Sequence, residues 1–565
     1  MYLQKTHLHL SSGKNTNNTL RQDLRKTKDM KNRIKKYMAL LLCLYVAIGT
    51  IVTASGDQVD EAVFHGSDIP VVYVQGQGAE LVVDNEDGSR TRVYPINLGS
   101  DKITALVEEN IDVFAKAFFT QEWDEFCDVL YEIITDLYKD VALDENGEAP
   151  NGSHVYWSWD SNLGDRKNTY GKYDIQAYTF EYDWRKDPYQ TADDLRLYIE
   201  AVRKATGANE VALLGRCLGA CITSAYMDKY DAEYISDYII YAGAHKGAAL
   251  CSKIFCGEIY LESDGIERFV YDANLFGGDV YTDLLNSFVT MFNDMYGLEI
   301  ACWAVNNVYK DIYLNIIPRV MVETFATFPG YWSMVTTEDY EKAKEVVFYG
   351  ADPLKYKNFI SIIDNYHYKV AKEMDADYQR YLDMGINIYN VTKYGYQAIP
   401  IAGEEENDTL SDLTVHVKHA SMGATTARVP EQLPQDYIDK AVANGTDKYI
   451  SLDREIDAST ALVPDTTWFI KHMKHDNFPD SINRLFSAML NIDGFDVNTL
   501  DIYPQYSVYS EELNDIVPMT EENMNTNEDW TVTFFDACQT FFNALYEIIV
   551  ELIAQAQTPE AEQNI

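Results

Sequence analysis

The chain has 565 residues, 47% of them apolar, which is enough to bury a large core. Its formal net charge is −43, yet the first 36 residues hold ten Lys and Arg against two Asp, so the remainder stands near −51. An acidic body of this kind repels phosphate and excludes nucleic acid as a partner. It reads as a solvated surface, with attraction of cations as the alternative.

Residues 1–54 form a basic leader that ends in an apolar run, Met38–Ser55. A positive segment, an apolar stretch and small residues at Val52 and Ala54 predict a secretory signal cleaved after Ala54. An uncleaved membrane anchor is the other reading. Either way the body is expected outside the cytoplasm. Eight cysteines occur, and Cys43 lies in the leader. The seven that remain are an odd number, so at least one thiol is expected unpaired. No CxxC pair and no HExxH is present, and neither a metal nor a cofactor is expected.

Residues 55–246 read as the first part of a core. Ile69–Val74 is a buried strand, and Gln75-Gly76-Gln77-Gly78 is a glycine turn. Leu106–Tyr138 carries helical periodicity, and Asp174–Tyr182 alternates as a strand. Thr191–Ala205 is an amphipathic helix with Leu195, Tyr198, Ile199 and Val202 on one face. Strand Val211–Leu214, helix Leu218–Tyr230 and strand Tyr238–Ala242 follow. This alternation predicts an α/β fold with a doubly wound, mostly parallel sheet. Residues 247–384 break the alternation with helical, aromatic sequence and read as a cap. An insertion that left and returned at the carboxyl edge of the sheet would overhang a site there. Residues 385–490 resume the core with strands Ile386–Val391 and Thr466–Ile470. Residues 491–565 are an extension whose apolar helix, Trp530–Ala556, is expected to pack on the body, with membrane-surface contact as the lesser alternative.

The chemistry concentrates at Gly215-Arg216-Cys217-Leu218-Gly219, between a predicted strand and a predicted helix. In a G-x-S-x-G elbow the central residue sits on a strained turn that presents its side chain at a helix N-terminus. Here that residue is a cysteine, whose thiolate is a strong nucleophile. A nucleophile needs a base, and the base needs an orienting carboxylate. In this fold they follow in the order acid, then histidine. Asp412 is the candidate acid, with Asp408 as its rival. His475 is the candidate base, with His472 as the alternative. His245, His416 and His419 read as surface or loop histidines. The oxyanion hole would use the backbone N–H groups of Leu218 and Gln77.

Four stretches carry a resemblance. They are Pro70–Gly78 (PVVYVQGQG), Tyr182-Asp183-Trp184-Arg185, Thr327-Phe328-Pro329-Gly330-Tyr331 and Ser411-Asp412-Leu413-Thr414-Val415. Together they resemble the lecithin:cholesterol acyltransferase-like family of α/β-hydrolases across roughly residues 69 to 480. The resemblance implies an α/β-hydrolase fold with a helical cap, acyl transfer on lipid or ester substrates, and a base at His475. The chain departs from the family at three places: Cys217 stands where it has serine, Arg216 where it has histidine, and Leu413 where D-G-T-V has glycine. Phe325, Phe328, Tyr331 and Trp332 are expected to line an acyl pocket under the cap. The G-x-C-x-G box also resembles polyhydroxyalkanoate synthases. A non-catalytic surface protein on the same fold is the third reading.

Overall fold

The computed structural model describes residues 69–96, 109–156, 167–169, 176–273, 280–403, 408–524 and 540. The leader and the apolar helix expected near the C-terminus lie outside the described residues. Among the described residues no helix is long and apolar enough to cross a membrane.

Two compact units are distinguished. The described part of the smaller one is residue 96 and residues 109–134, with helix Ile111–Thr120 and the helical residues from Asp124 onward. The helical periodicity expected over Leu106–Tyr138 is carried, among the described residues, by two helices. Gln121 ends the first in a left-handed conformation with φ of 58°.

The larger unit is an α/β structure built on nine strands: β1 (Val71–Val74), β2 (Lys167–Thr169), β3 (Gln176–Phe180), β4 (Val211–Arg216), β5 (Ile235–Tyr241), β6 (Asn387–Tyr394), β7 (Thr467–Lys471), β8 (Tyr506–Ser510) and β9 (Asp515–Pro518). Their order is β9-β8-β7-β6-β5-β4-β1-β3-β2. The seven strands from β8 to β3 run parallel, and β9 and β2 close the edges antiparallel. The central strands β1 and β4 are apolar along nearly their whole length because helices cover both faces.

Helix α1 (Pro188–Thr206) shows why the sequence stops where it does. Asp187 caps it by accepting from the Tyr189 N–H, Pro188 fills the first position, and Gly207 ends it at φ of 79°. The predicted face is buried: Leu195, Tyr198, Ile199 and Val202. Helix α2 (Gly219–Lys229) follows β4 directly and is buried over most of its length. Helix α3 (Asp480–Asn491) packs Ile482, Leu485, Phe486 and Met489 into a cluster with Val71, Ala212, Ile239, Val391 and Ile470 of the sheet.

The insertion leaves at Tyr241, the carboxyl end of β5, but it does not return there. β6 pairs parallel to β5, Asp237 opposite Asn387, so the chain must re-enter at the amino edge. The helix Met374–Asp383 makes that crossover. Its Tyr378 lies edge-on to Tyr238 at 5.9 Å and hydrogen bonds with Ser224 (Oγ···Oη 3.0 Å). The expectation of a return at the carboxyl edge was wrong because a parallel neighbour forbids it.

Candidate active site

Cys217 occupies the turn between β4 and α2 with φ of +51°, a conformation that a non-glycine residue adopts only under constraint. Both glycines of the motif are required by contact. A Cβ on Gly219 would lie 2.2 Å from the Val74 carbonyl oxygen, and one on Gly215 would lie 2.8 Å from the Ala220 Cα. The strand and helix therefore approach closely and hold the turn tight. Gly76 faces the thiol from β1's end, where a Cβ would stand 2.8 Å from that of Cys217. The sulfur-bearing side chain is 7% exposed.

His475 follows β7, and Asp412 lies beyond β6. The imidazole Nδ1 is 2.7 Å from Asp412 Oδ2, and the His475 N–H donates to the Asp412 carbonyl at 3.0 Å. Asp412 also accepts from the Thr414 and Val415 N–H groups at 3.0 and 2.7 Å. Leu413 between them has φ of +80°, the conformation a glycine would supply without strain. Burial works to raise the Asp412 pKa, but His475 and Lys393 hold it below the ordinary carboxylate value.

His475 Nε2 makes no hydrogen bond of full geometry, yet Cys217 is its electrostatic neighbour. Burial opposes a charge on the imidazole. Asp412 and Cys217 outweigh it and push the His475 pKa up to about 10. Burial likewise pushes the thiol up, while His475, Arg216 and the Leu218 N–H directed at the sulfur bring it below its usual value. Each of the two groups thus favours the charged form of the other. The rivals are placed elsewhere. Asp408 pairs with Arg428 at 2.9 Å. His472 turns its carbonyl to Tyr396 at 3.2 Å, and burial lowers its own pKa to about 4.

The Gln77 side chain donates to the Tyr331 hydroxyl at 2.7 Å, so the insertion reaches the turn beside Cys217. The Y-D-W-R segment supports the same turn. Tyr182 donates to the Gln75 carbonyl at 2.9 Å, and Trp184 donates to that of Ala79 at 3.2 Å. Arg185, fully buried, donates to Val141 O, Ser153 O and Asp183 Oδ2 at 2.7, 3.0 and 2.6 Å.

Phe325, Phe328, Tyr331 and Trp332 are buried and pack against one another and their neighbours. Tyr331 stacks on Trp184 at 5.7 Å, and Trp332 stacks on Phe348 at 5.8 Å. Phe328 meets Trp184 edge-on at 5.7 Å, and Phe325 meets Phe255 at 6.0 Å. Apolar rings adjacent in sequence found partners in each other, which spacing alone does not foretell.

One reading of the histidines is corrected. His245 and His416 are buried rather than superficial, and burial lowers both to about 3. The six described cysteines are all free thiols. A possible metal-ligand group, Cys256, Glu258 and Asp339, already has Lys253 and Lys342 among its carboxylates.

No protein-family model matches the chain, and no curated protein matches it. Among solved structures it is similar to a chain of the Tle4–Tli4 complex, with 16% identity and a TM-score of 0.17 over 33% of this chain and 48% of that one. The match thus spans about half of that chain's length. It is also similar to a structure from work on carboxylesterases of the ammonia-oxidizing thaumarchaeon Nitrososphaera gargenis, with 9% identity and a TM-score of 0.15 over 57% of this chain and 91% of that one. At TM-scores this low, neither likeness carries an activity over to this chain.

Proposed function

We propose that the chain is an acyl-transfer enzyme of the α/β-hydrolase type that works through a cysteine acyl-enzyme. The observation that carries the reading is the 2.7 Å contact between His475 and Asp412, with Cys217 held in a strained turn as the electrostatic neighbour of His475. The order along the chain, nucleophile, acid, histidine, is that of the hydrolase triad.

Cys217 attacks the acyl carbonyl as a thiolate. The carbonyl electrons move to oxygen, where the Leu218 and Gln77 N–H groups would receive them. The intermediate collapses, the C–O bond to the leaving alcohol breaks, and His475 delivers its proton to that alcohol. His475 then takes a proton from water or an acceptor alcohol, which attacks the thioester and releases Cys217. Asp412 keeps Nδ1 protonated and stabilises the imidazolium throughout. The resemblance to the lecithin:cholesterol acyltransferase-like family supports lipid or other ester substrates, and the basic leader supports export. Through Tyr331, the aromatic packing of the insertion also holds the Gln77 turn.

Incubation with p-nitrophenyl esters of short and long acyl chains, followed by intact-mass measurement and peptide mapping, tests this. An acyl adduct on the Cys217 peptide, absent in Cys217→Ala, is the expected result. Turnover that survives Cys217→Ala would overturn it.

A further inference from the structure

Two cations sit beside the histidine turn, Lys393 buried and Arg216 partly exposed, and the acyl-transfer steps give neither of them a task. Lys393, at the end of β6, is 1% exposed. Its ammonium donates to the carbonyls of Lys474, His475 and Asn477 at 3.2, 2.5 and 2.8 Å. An ammonium carries three N–H donors and no acceptor, so three carbonyls saturate it. It also stands 4.3 Å from the centre of the Tyr241 ring. Arg216, at the end of β4, donates to the same His475 carbonyl at 3.2 Å and to Asp476 Oδ1 at 3.2 Å.

We propose that Lys393 and Arg216 are positioning residues, which clamp the 474–477 turn by its carbonyl oxygens and thereby hold the His475 imidazole against Cys217. This rests on the assignment of Cys217 and His475 made above. The turn's own backbone bonds are His475 N–H to the Asp412 carbonyl and Asn477 N–H to that of Lys474 at 3.1 Å. The carbonyl of His475 receives both cations, so the residue with the most demanding position has the firmest hold. Burial and then Arg216 pull the Lys393 pKa well below its usual value, and Asp412, Asp476 and Cys217 resist. Three carbonyl acceptors around one nitrogen nevertheless call for three N–H donors, which only the ammonium supplies. Asp476, Cys217 and the buried phenols of Tyr73 and Tyr241 face Arg216. Two positive charges beside a thiolate also suit a cysteine better than a serine. Arg216 stands where the chain leaves the pattern of the family it resembles, directly before another such departure, Cys217.

The test uses the full chain carrying Lys393→Met or Arg216→Met. Alkylation of Cys217 by iodoacetamide is followed by peptide mass from about pH 5 to 9, beside kcat and KM for a p-nitrophenyl ester. Wild type should react well at the acid end. Each variant's profile should move toward that of an ordinary thiol. Its kcat should fall about tenfold to a hundredfold, with KM within about twofold. Arg216→Lys, which keeps a donor and the charge, should recover part of the loss. If Lys393→Met does not fold, the two Arg216 variants carry the test. Variants that melt cooperatively yet match wild type in profile and kcat would overturn the clamp. A wild-type Cys217 that titrates as an ordinary thiol would overturn both the clamp and the acyl-enzyme. An acid-shifted wild type without ester turnover would overturn only the acyl-transfer reading. Loss of that profile in the variants would then still support the clamp.

Discussion

Leu413 shows how one dihedral angle can carry the cost of a site. It holds φ of +80° so that Asp412 can accept from Thr414 and Val415. A β-branched side chain tolerates that angle poorly, and glycine tolerates it freely. Leu413→Val should therefore lower the unfolding free energy by about 1–3 kcal/mol, while Leu413→Gly should stay within about 1 kcal/mol of wild type in urea melts. His416 gives a second prediction. Buried and neutral, it titrates at about 3 in the fold against about 6.5 unfolded. Its contribution to stability is complete above about pH 6.5 and is lost as pH falls toward 3, because the unfolded chain binds the proton first. Lys418 and Lys253 deepen the shift and Asp412 opposes it. Wild type should lose more stability than His416→Gln between pH 7 and pH 4.5, by at most about 1.4 kcal/mol per pH unit. Buried acids that titrate high, such as Asp187 at about 6, act in the opposite direction. Comparing the two proteins cancels them, and parallel pH curves would refute the prediction.

At the scale of elements, the strand–helix alternation made β1, β3, β4, β5, β6 and β7 legible, because their periodicity is local. G-x-C-x-G made the elbow legible for the same reason. β2, β8 and β9 were missed: Tyr506–Ser510, for one, alternates weakly and is strand only because β7 offers it an edge. Lys393 was missed because a lysine in a strand reads as solvated. What makes it buried is a set of carbonyls some 80 residues further on. The buried histidines escaped notice for the same reason. The insertion docks on the core at Gly330, where a Cβ would stand 2.0 Å from the Trp184 carbonyl oxygen and displace backbone. Gly330→Ala should lower the melting temperature by several degrees and reduce activity through the Gln77–Tyr331 contact. Gly350→Ala, with φ of +72° and nothing near its Cβ, is the control and should cost about 1 kcal/mol. Equal melting losses in the two variants would show that the docking is not tight.

For the molecule as a whole, charge is the dominant quantity. A net −43 repels itself, and repulsion between exposed carboxylates is screened over about 10 Å at 0.1 M salt. Adding neutral salt should raise the melting temperature steeply up to about 0.2 M and only weakly beyond. A flat response would mean that the acids are already paired. The leader is tested separately. Edman sequencing of secreted protein should begin near Ser55, and a start before Met38 would exclude cleavage.

The free thiols have a consequence for how the protein ages in air. Burial raises Cys221, Cys251 and Cys256 to about 12 and Cys302 to about 11, so at neutral pH they are almost wholly protonated and slow to oxidise. Cys217 alone among these is shifted the other way. Peroxide should therefore find it first and form a sulfenic acid there. Its nearest neighbour in the chain, Cys221, is too weakly ionised to rescue it by forming a disulfide. The lesion should instead advance to the irreversible sulfinic acid unless an external thiol intervenes. Activity lost early to peroxide should return with dithiothreitol, and activity lost late should not.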